Sequence, residues 1–197
     1  MDYMVELSNI AKNNGGIFET KTATSYGISK MMLSKLCKQK EIVRVARGQY
    51  ILSDDIEDEL LALSNRSEKI VFSHETALFL HGLSDRTPFE YSFTVPSTYT
   101  ASAAIRHNHK TYYIKPDLFD LGKTEIMTAR GNMVPAYDID RTICDIVRSR
   151  NKIGTETFLF SLKQYAASPK KDLNKLSIYA KKLHVETIIR QYMEVLL

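Results

Sequence analysis

Apolar side chains recur at helical spacing along the first part of the chain and predict three helices. The first covers residues 2–14 and ends at Asn-Asn-Gly-Gly, and the second is short and broken at Gly27. Ser29 is the predicted N-cap of the third helix. The inward face of this third helix holds four apolar residues: Met32, Leu33, Leu36 and Cys37.

Two β-like runs, EIVRVA and QYIL, follow the third helix and flank the pair Arg47-Gly48. This arrangement predicts a hairpin. Helix, short helix, helix and hairpin is the order of a winged helix-turn-helix, in which the third helix enters the major groove and the hairpin contacts DNA beside it. We therefore predict a winged helix-turn-helix DNA-binding domain over residues 1–52.

The remaining pattern predicts a second, larger domain. Acidic residues crowd the start of residues 53–70, which we predict to be a connecting helix capped by Ser53. Residues 71–197 then show a helix capped by Ser73, strand-like alternation in FEYSFTVP and KTYYIKP, a helix in DRTICDIVRSR capped by Asp140, and three further amphipathic helices. The predicted fold class is α+β, with an N-terminal winged helix-turn-helix and a larger mixed α/β domain whose C-terminal half is helical.

Charge is distributed unevenly along the chain. Residues 1–52 hold eight basic and four acidic side chains, so their net charge of +4 equals that of the whole chain. Across residues 20–50, Glu41 is the one acid among seven basic residues. The middle of the chain is acidic and the tail is basic. This asymmetry favours a polyanionic partner for the N-terminal region.

The candidate DNA-binding residues lie on the outward face of the third helix and on the hairpin. Hydroxyls and methionine suit base edges and thymine methyl groups, whereas lysine and arginine suit phosphate. A solvated helix, or a winged helix that binds only protein, would show the same residue types, and both alternatives stay open. The candidate residues are Ser29, Lys30, Met31, Ser34, Lys35, Lys38, Arg44, Arg47 and Gly48.

A second basic group is expected near the C-terminus, where Lys171, Lys175 and Lys182 fall on one helix face. Opposite them lies the apolar stripe of the same helix. The group is therefore either a solvated face or a contact for a partner protein or for additional DNA.

Catalytic, metal and cofactor chemistry has little support in the sequence. His107 and His109 are separated by one residue, but no cysteine or carboxylate stands near them at ligand spacing, so we predict no metal site. Asp138 and Asp140 form an Asp-x-Asp pair of the kind that binds catalytic magnesium, but the Gly-Ser turn of nucleotidyltransferases is missing. We therefore predict that the protein has no catalytic residue and no cofactor. The alternative is a nucleotidyltransferase-like enzyme that uses Asp138 and Asp140.

The cellular setting follows from the cysteines and the apolar runs. Cys37 and Cys144 lie far apart in helical patterns and are expected to be reduced. The N-terminus lacks the apolar stretch of a signal peptide, and no run is long enough to span a membrane. We expect a cytoplasmic protein without a membrane partner.

Three blocks of sequence resemble the AbiEi family of bacterial antitoxins. They are GISKMMLSKLCKQKEIVRVARGQYIL, SHETALFLHGLSD and VPAYDIDRTICDIVR, in this order. The resemblance implies an autorepressor that binds inverted repeats in its own promoter through the winged helix. It also implies a C-terminal domain that neutralises a nucleotidyltransferase-like toxin in a type IV toxin–antitoxin system of phage defence, without a stable complex.

The resemblance and the sequence together suggest how the protein is assembled on DNA. Helix-turn-helix proteins usually occupy two half-sites, so two copies are expected on double-stranded operator DNA. The chain has no long apolar heptad pattern, and we expect a monomer in solution. The third block contributes Asp140, Arg141, Thr142 and Asp145, which we expect to organise the fold.

Overall fold

The computed structural model describes residues 2–197, which divide into two compact units. The first contains the described residues up to Asn65 together with Thr128–Asn132. The second contains Arg66–Met127 and Met133–Leu197. The mixed α+β fold class is confirmed.

The first unit has the element order of a winged helix. It contains α1 (Tyr3–Asn13), β1 (Phe18–Glu19), α2 (Thr20–Ser25), α3 (Lys30–Lys38), β2 (Ile42–Ala46), β3 (Gln49–Leu52) and α4 (Glu59–Ser64). The strands form a three-stranded antiparallel sheet in the order β1-β3-β2. The helices and this sheet enclose an apolar core that includes Leu7, Ile10, Phe18, Ala23, Ile28, Leu33, Leu36 and Ile42.

The boundaries of these helices follow from local chemistry. Asp2 caps α1 by accepting hydrogen bonds from the amides of Met4 and Val5. Gly15 has a φ of +68° and follows the end of α1, a backbone conformation that glycine adopts without steric cost.

The predicted connecting helix over residues 53–70 is wrong in length and in its cap. The helix spans only Glu59–Ser64, and Asp58 caps it by accepting from the amide of Leu61 at 3.2 Å. Ser53 lies in an exposed turn after β3. Asp58 is itself held in place, since its other carboxylate oxygen accepts from Thr128 at 2.6 Å and from Asn132 at 2.9 Å within the same unit. A tertiary contact, which the local run of acids cannot reveal, therefore determines where this helix begins.

The second unit is built on a mixed five-stranded sheet in the order β6-β5-β4-β8-β7. The pairs β5/β6 and β4/β8 are parallel, and β4/β5 and β7/β8 are antiparallel. The strands are β4 (Val71–Phe72), β5 (Tyr91–Pro96), β6 (His109–Ile114), β7 (Lys123–Met127) and β8 (Met133–Tyr137). The parallel pair β5/β6 requires a crossover, and α6 (Ala103–Arg106) lies in it.

Helices complete this unit, and one of them lies at its centre. They are α5 (His74–Leu80), α7 (Ile139–Arg148), α8 (Thr155–Ala167), α9 (Leu173–Lys182) and α10 (Glu186–Leu196), with short 3-10 turns at Pro116–Leu118 and Arg150–Lys152. Helix α7 packs against α5, α8, α9 and α10. Its residues 139–147 are all buried, including three charged side chains. The predicted helical C-terminal half is confirmed.

In the second unit one expected helix cap is wrong, and the other occupies the N-cap position without a side-chain hydrogen bond to the helix. Helix α7 begins at Ile139 and its cap is Asp138, whose carboxylate accepts from the amide of Arg141 at 2.8 Å. Asp140, the expected cap, lies inside the helix and is buried. Ser73 does precede α5, but its hydroxyl does not cap the helix. It contacts Nδ1 of His74 at 2.9 Å instead.

Candidate nucleic-acid interface

The turn between α2 and α3 orients the predicted DNA-reading helix. Gly27 has a φ of +81°, which residues with a Cβ adopt only at a cost. The next side chain, Ile28, is completely buried, and its amide donates to the carbonyl of Ala23 at 3.0 Å. Ser29 then caps α3, with its Oγ accepting from the amide of Met32 at 3.1 Å. The turn is thus anchored to the core on one side and to the start of α3 on the other.

Helix α3 has one buried and one exposed face, divided as its sequence predicts. Leu33 and Leu36 are buried, and Met32 and Cys37 are half-buried. The outward residues are exposed, and Met31 shows 81% of its surface to solvent. No ion pair involves an α3 lysine anywhere in residues 2–197. The exposed outward set comprises Ser29, Lys30, Met31, Ser34, Lys35 and Lys38.

The hairpin places two further cations near this helix. Gly48 at its tip has a φ of +79°, and its carbonyl accepts from the amide of Thr20 at 2.8 Å, which ties the tip to the start of α2. Arg44 and Arg47 are exposed. The Nε of Arg44 donates to the carbonyl of Ala46 at 3.2 Å, across a register shift in the β2/β3 pairing.

The environment of Cys37 shows that Arg44 lies near the end of α3. Burial raises the pKa of the Cys37 thiol, and the positive charge of Arg44 opposes that rise. Positive charge on β2 therefore lies beside the C-terminal turn of α3, which carries Lys35 and Lys38. The first unit thus exposes six predicted side chains on α3 and two predicted arginines on the hairpin.

The Asp-x-Asp pair in the second unit is engaged in holding the fold. Asp138 caps α7 with one oxygen and accepts from the hydroxyl of Tyr179 at 3.1 Å with the other. Oδ1 of Asp140 accepts from the hydroxyl of Tyr165 at 2.8 Å and from the amide of Asp172 at 2.9 Å. Burial raises the pKa of Asp140, which opposes its ionisation. These contacts give both carboxylates structural roles.

The remaining predicted groups are placed as follows. Residues 2–197 contain no group of three or more His, Cys, Asp or Glu side chains arranged around a metal ion. Every helix in the same range is too short or too polar to cross a membrane.

Lys171 precedes α9, and its Nζ donates to the carbonyl of Ser168 at 3.3 Å, so the expected three-lysine helix face is reduced to Lys175 and Lys182.

Comparison with known proteins bears on both units. Residues 6–53 match the model of a family described as transcriptional regulator, AbiEi antitoxin. This segment is therefore similar to the regulator domain of AbiEi antitoxins. It includes α2, α3 and the hairpin, so the exposed cationic surface lies within the AbiEi match.

The fold as a whole is also found in a solved structure. The chain resembles the RV2827C protein from Mycobacterium tuberculosis with a TM-score of 0.70 and 12% sequence identity, covering 100% of this chain and 81% of that one. At this identity the likeness establishes a shared fold. No curated protein matches the sequence.

The first unit also exposes polar residues outside the predicted DNA-binding set. Lys21, Thr24, Ser25 and Tyr26 lie on α2 and the following turn, and all four are exposed. Tyr26 shows 53% of its surface and adds an aromatic ring to this exposed group. They immediately precede the turn that leads into α3. The signal in the sequence is the polar run TKTATSY, which interrupts the helical apolar pattern with hydroxyl, lysine and tyrosine side chains.

Proposed function

We propose that this protein is an antitoxin and transcriptional autorepressor that binds inverted repeats in its own operon promoter through the winged helix. The observation that carries the proposal is the exposed cationic surface of α3 and the hairpin, whose charges form no ion pair within residues 2–197. Surface cations without ion pairs, on the third helix of a winged helix-turn-helix, are suited to neutralise the phosphates of the DNA backbone. The AbiEi match over residues 6–53 supports the same role.

Side-chain chemistry divides the proposed contacts. Ser29, Met31 and Ser34 lie toward the N-terminal part of α3 and are assigned to bases, because hydroxyls pair with base edges and the methionine packs on thymine methyl groups. The Ser29 Oγ already accepts a bond from Met32, so it acts toward DNA as a donor.

The cationic residues are assigned mainly to phosphate. They are Lys35, Lys38, Arg44 and Arg47, while Lys30 is assigned to either base or phosphate. Gly48 gives the hairpin the tight turn that brings these arginines to the DNA backbone.

The operator is proposed to hold two copies of the protein. A winged helix reads one half-site, and half-sites of two-fold symmetric operators lie about 34–36 Å apart or a multiple of that. The protein is proposed to be a monomer in solution and to reside in the cytoplasm. Two copies then assemble on the inverted repeat.

A mobility-shift titration on the native promoter tests the DNA-binding surface. Lys35→Ala, Lys38→Ala and Arg47→Ala should each weaken binding to all sequences alike and lower the salt dependence by roughly one unit of slope, because each removes a phosphate contact. Lys12→Ala is the matched control, since Lys12 is an exposed lysine of the same unit on α1. Wild-type affinity and salt dependence in all three variants would refute this assignment. Absence of any promoter binding would favour a protein-binding winged helix.

The second unit is proposed to counter a nucleotidyltransferase-like toxin without forming a stable complex. Lys175 and Lys182, which are exposed on α9, and Lys171 before it are the candidate contacts with a partner or with additional DNA. In cells whose growth is stopped by a toxin encoded in the same operon, expression of this protein should restore growth, while the tagged protein should not retain that toxin on a column. Retention of the toxin at equal stoichiometry would contradict this mode of neutralisation.

A further inference from the structure

The second unit contains an open cavity whose walls have no role in the proposed DNA binding. Its volume is about 400 Å³, within the range of about 300–1,000 Å³ in which small-molecule sites fall. The lining comes from the start of α5, from β5 and β6, from α7 and from the 3-10 turn after α7. These elements are distant in sequence, so the cavity exists only in the folded unit.

The cavity is strongly cationic. Arg141, Arg148 and Lys152 line it, and the only acid in the lining is Asp145. The carboxylate of Asp145 is already paired with a cation, because one of its oxygens accepts a hydrogen bond from Nε of Arg141 at 3.0 Å. Both side chains are buried. Arg148 and Lys152 are exposed and form no ion pair within residues 2–197. Uncompensated positive charge in a concave site attracts anions.

His74 in the cavity wall responds to this charge. Burial lowers its pKa well below 6.5, and Arg141, Arg148, Lys152 and Lys110 lower it further. Its imidazole is therefore neutral near pH 7, and both ring nitrogens contact hydroxyls, those of Ser73 at 2.9 Å and Ser149 at 3.0 Å. The ring stacks on Tyr112 with centroids 3.4 Å apart, so hydrogen bonds and a ring contact together orient the imidazole.

Two lining residues carry buried polar atoms without a hydrogen-bond partner. They are Nη2 of Arg141 and Oγ1 of Thr111. The other terminal nitrogen of Arg141 donates to the carbonyls of Leu118 at 3.0 Å and Leu121 at 2.7 Å, so the guanidinium is fixed in place. Buried donors without partners are rare and costly in native proteins. A ligand with oxygen acceptors would satisfy them.

We propose that this cavity binds a small phosphomonoester of about mononucleotide size. The phosphate oxygens accept from Arg148, Lys152 and the Thr111 hydroxyl, with the fixed Arg141 guanidinium supplying charge behind them. An orthophosphate ion is far smaller than the cavity, so an organic group fills the rest. Tyr113 lines the cavity with 47% of its surface exposed, and its ring provides a flat surface on which a nucleobase stacks.

Isothermal titration calorimetry on the full-length protein tests the proposal. The probes are orthophosphate, adenosine, ribose 5-phosphate, the common 5′-ribonucleoside monophosphates and a short single-stranded RNA. We expect saturable binding of one or more monophosphates, tighter than that of orthophosphate, and no binding of adenosine. Equal binding of adenosine and its monophosphate would overturn phosphate recognition. Binding of the RNA alone, or of none of the phosphomonoesters, would overturn the proposal as a whole.

Variants locate the binding within the cavity. Arg148→Gln and Lys152→Gln should each weaken the monophosphate about tenfold or more, because each removes a charge-assisted hydrogen bond. Arg150→Gln is the matched control, since Arg150 is exposed in the same segment and does not line the cavity. An equal loss in Arg150→Gln would show general charge attraction instead of a site.

A third variant separates binding from folding. Thr111→Val keeps the branched shape that suits strand β6 and removes the unpartnered hydroxyl. It should leave the melting temperature unchanged or raise it, while weakening the monophosphate several-fold. Unchanged binding in this variant would exclude Thr111 from the site.

Discussion

Mild acid should destabilise the second unit through His74. This side chain is 3% exposed, and burial, assisted by Arg141, Arg148 and Lys152, lowers its pKa well below 6.5. In the unfolded chain it titrates near its ordinary pKa. As the pH falls through 6.5, the unfolded state binds a proton that the folded state does not bind. The stability present above that pH is therefore lost below it.

The size of the effect follows from proton linkage. Each proton taken up only by the unfolded state lowers the free energy of unfolding by up to about 1.4 kcal/mol per pH unit. His81 contributes in the same direction, because burial also lowers its pKa, although the carbonyl of Tyr137 at 2.8 Å from its Nε2 opposes the shift. The two histidines together set an upper limit of roughly 2.7 kcal/mol per pH unit in this window.

The assay is urea unfolding at several pH values between about 7.5 and 5.5, for the wild type and two variants. His74→Asn is chosen because His74 has a φ of +51°, a conformation that asparagine tolerates. It should be less stable at neutral pH, since it loses the ring stack on Tyr112, but its pH slope should be shallower by about 1.4 kcal/mol per unit. His107→Asn, at an exposed position, should keep the wild-type slope.

Parallel loss of stability in the wild type and in His74→Asn would refute this reasoning. It would mean that His74 accepts a proton in the folded state despite its burial beside three cations. The slope is the decisive quantity, because any loss of packing in the variant shifts the whole curve and leaves its pH dependence unchanged.

Two further predictions concern buried and exposed side chains. Asp145→Asn should lower the free energy of unfolding by about 3–5 kcal/mol, because Arg141 keeps a buried charge without a counterion. Urea unfolding measures this, and Glu156→Gln, which breaks an exposed pair with Arg86, should change it by less than about 1 kcal/mol. Leu33→Ala should cost about 2–5 kcal/mol because Leu33 is fully buried in α3. Met31→Ala, two residues earlier and 81% exposed, should leave stability within about 0.5 kcal/mol and weaken operator binding instead. Equal destabilisation by the two α3 variants would contradict the assignment of its faces.

The sequence by itself determined the helix-turn-helix and hairpin of the first unit, down to individual faces of α3. The cap at Ser29, the turn at Gly27 and the inward position of Leu33 and Leu36 depend on residues a few positions apart. Capping, helical periodicity and glycine conformation act over that distance, so the sequence contains the whole signal.

The start of α7 and the length of the helix after β3 required the tertiary structure. Both Asp138 and Asp140 are good caps, and the choice between them depends on Tyr165 and the amide of Asp172, which draw Asp140 into the interior. Asp58 starts α4 in a similar way, with its second oxygen bound to residues about 70 positions away. The capping propensities of neighbouring residues cannot decide between such alternative helix starts.

The cavity in the second unit was decided entirely by the tertiary structure. Thr111 is on a strand, Arg148 ends a helix and Lys152 lies in the following turn, and no spacing in the sequence relates the first to the others. Parallel pairing of β5 with β6 and packing of α7 bring them together. Local sequence determines which backbone conformations and buried faces are favoured, whereas a site made of side chains from distant segments exists only after those segments have packed.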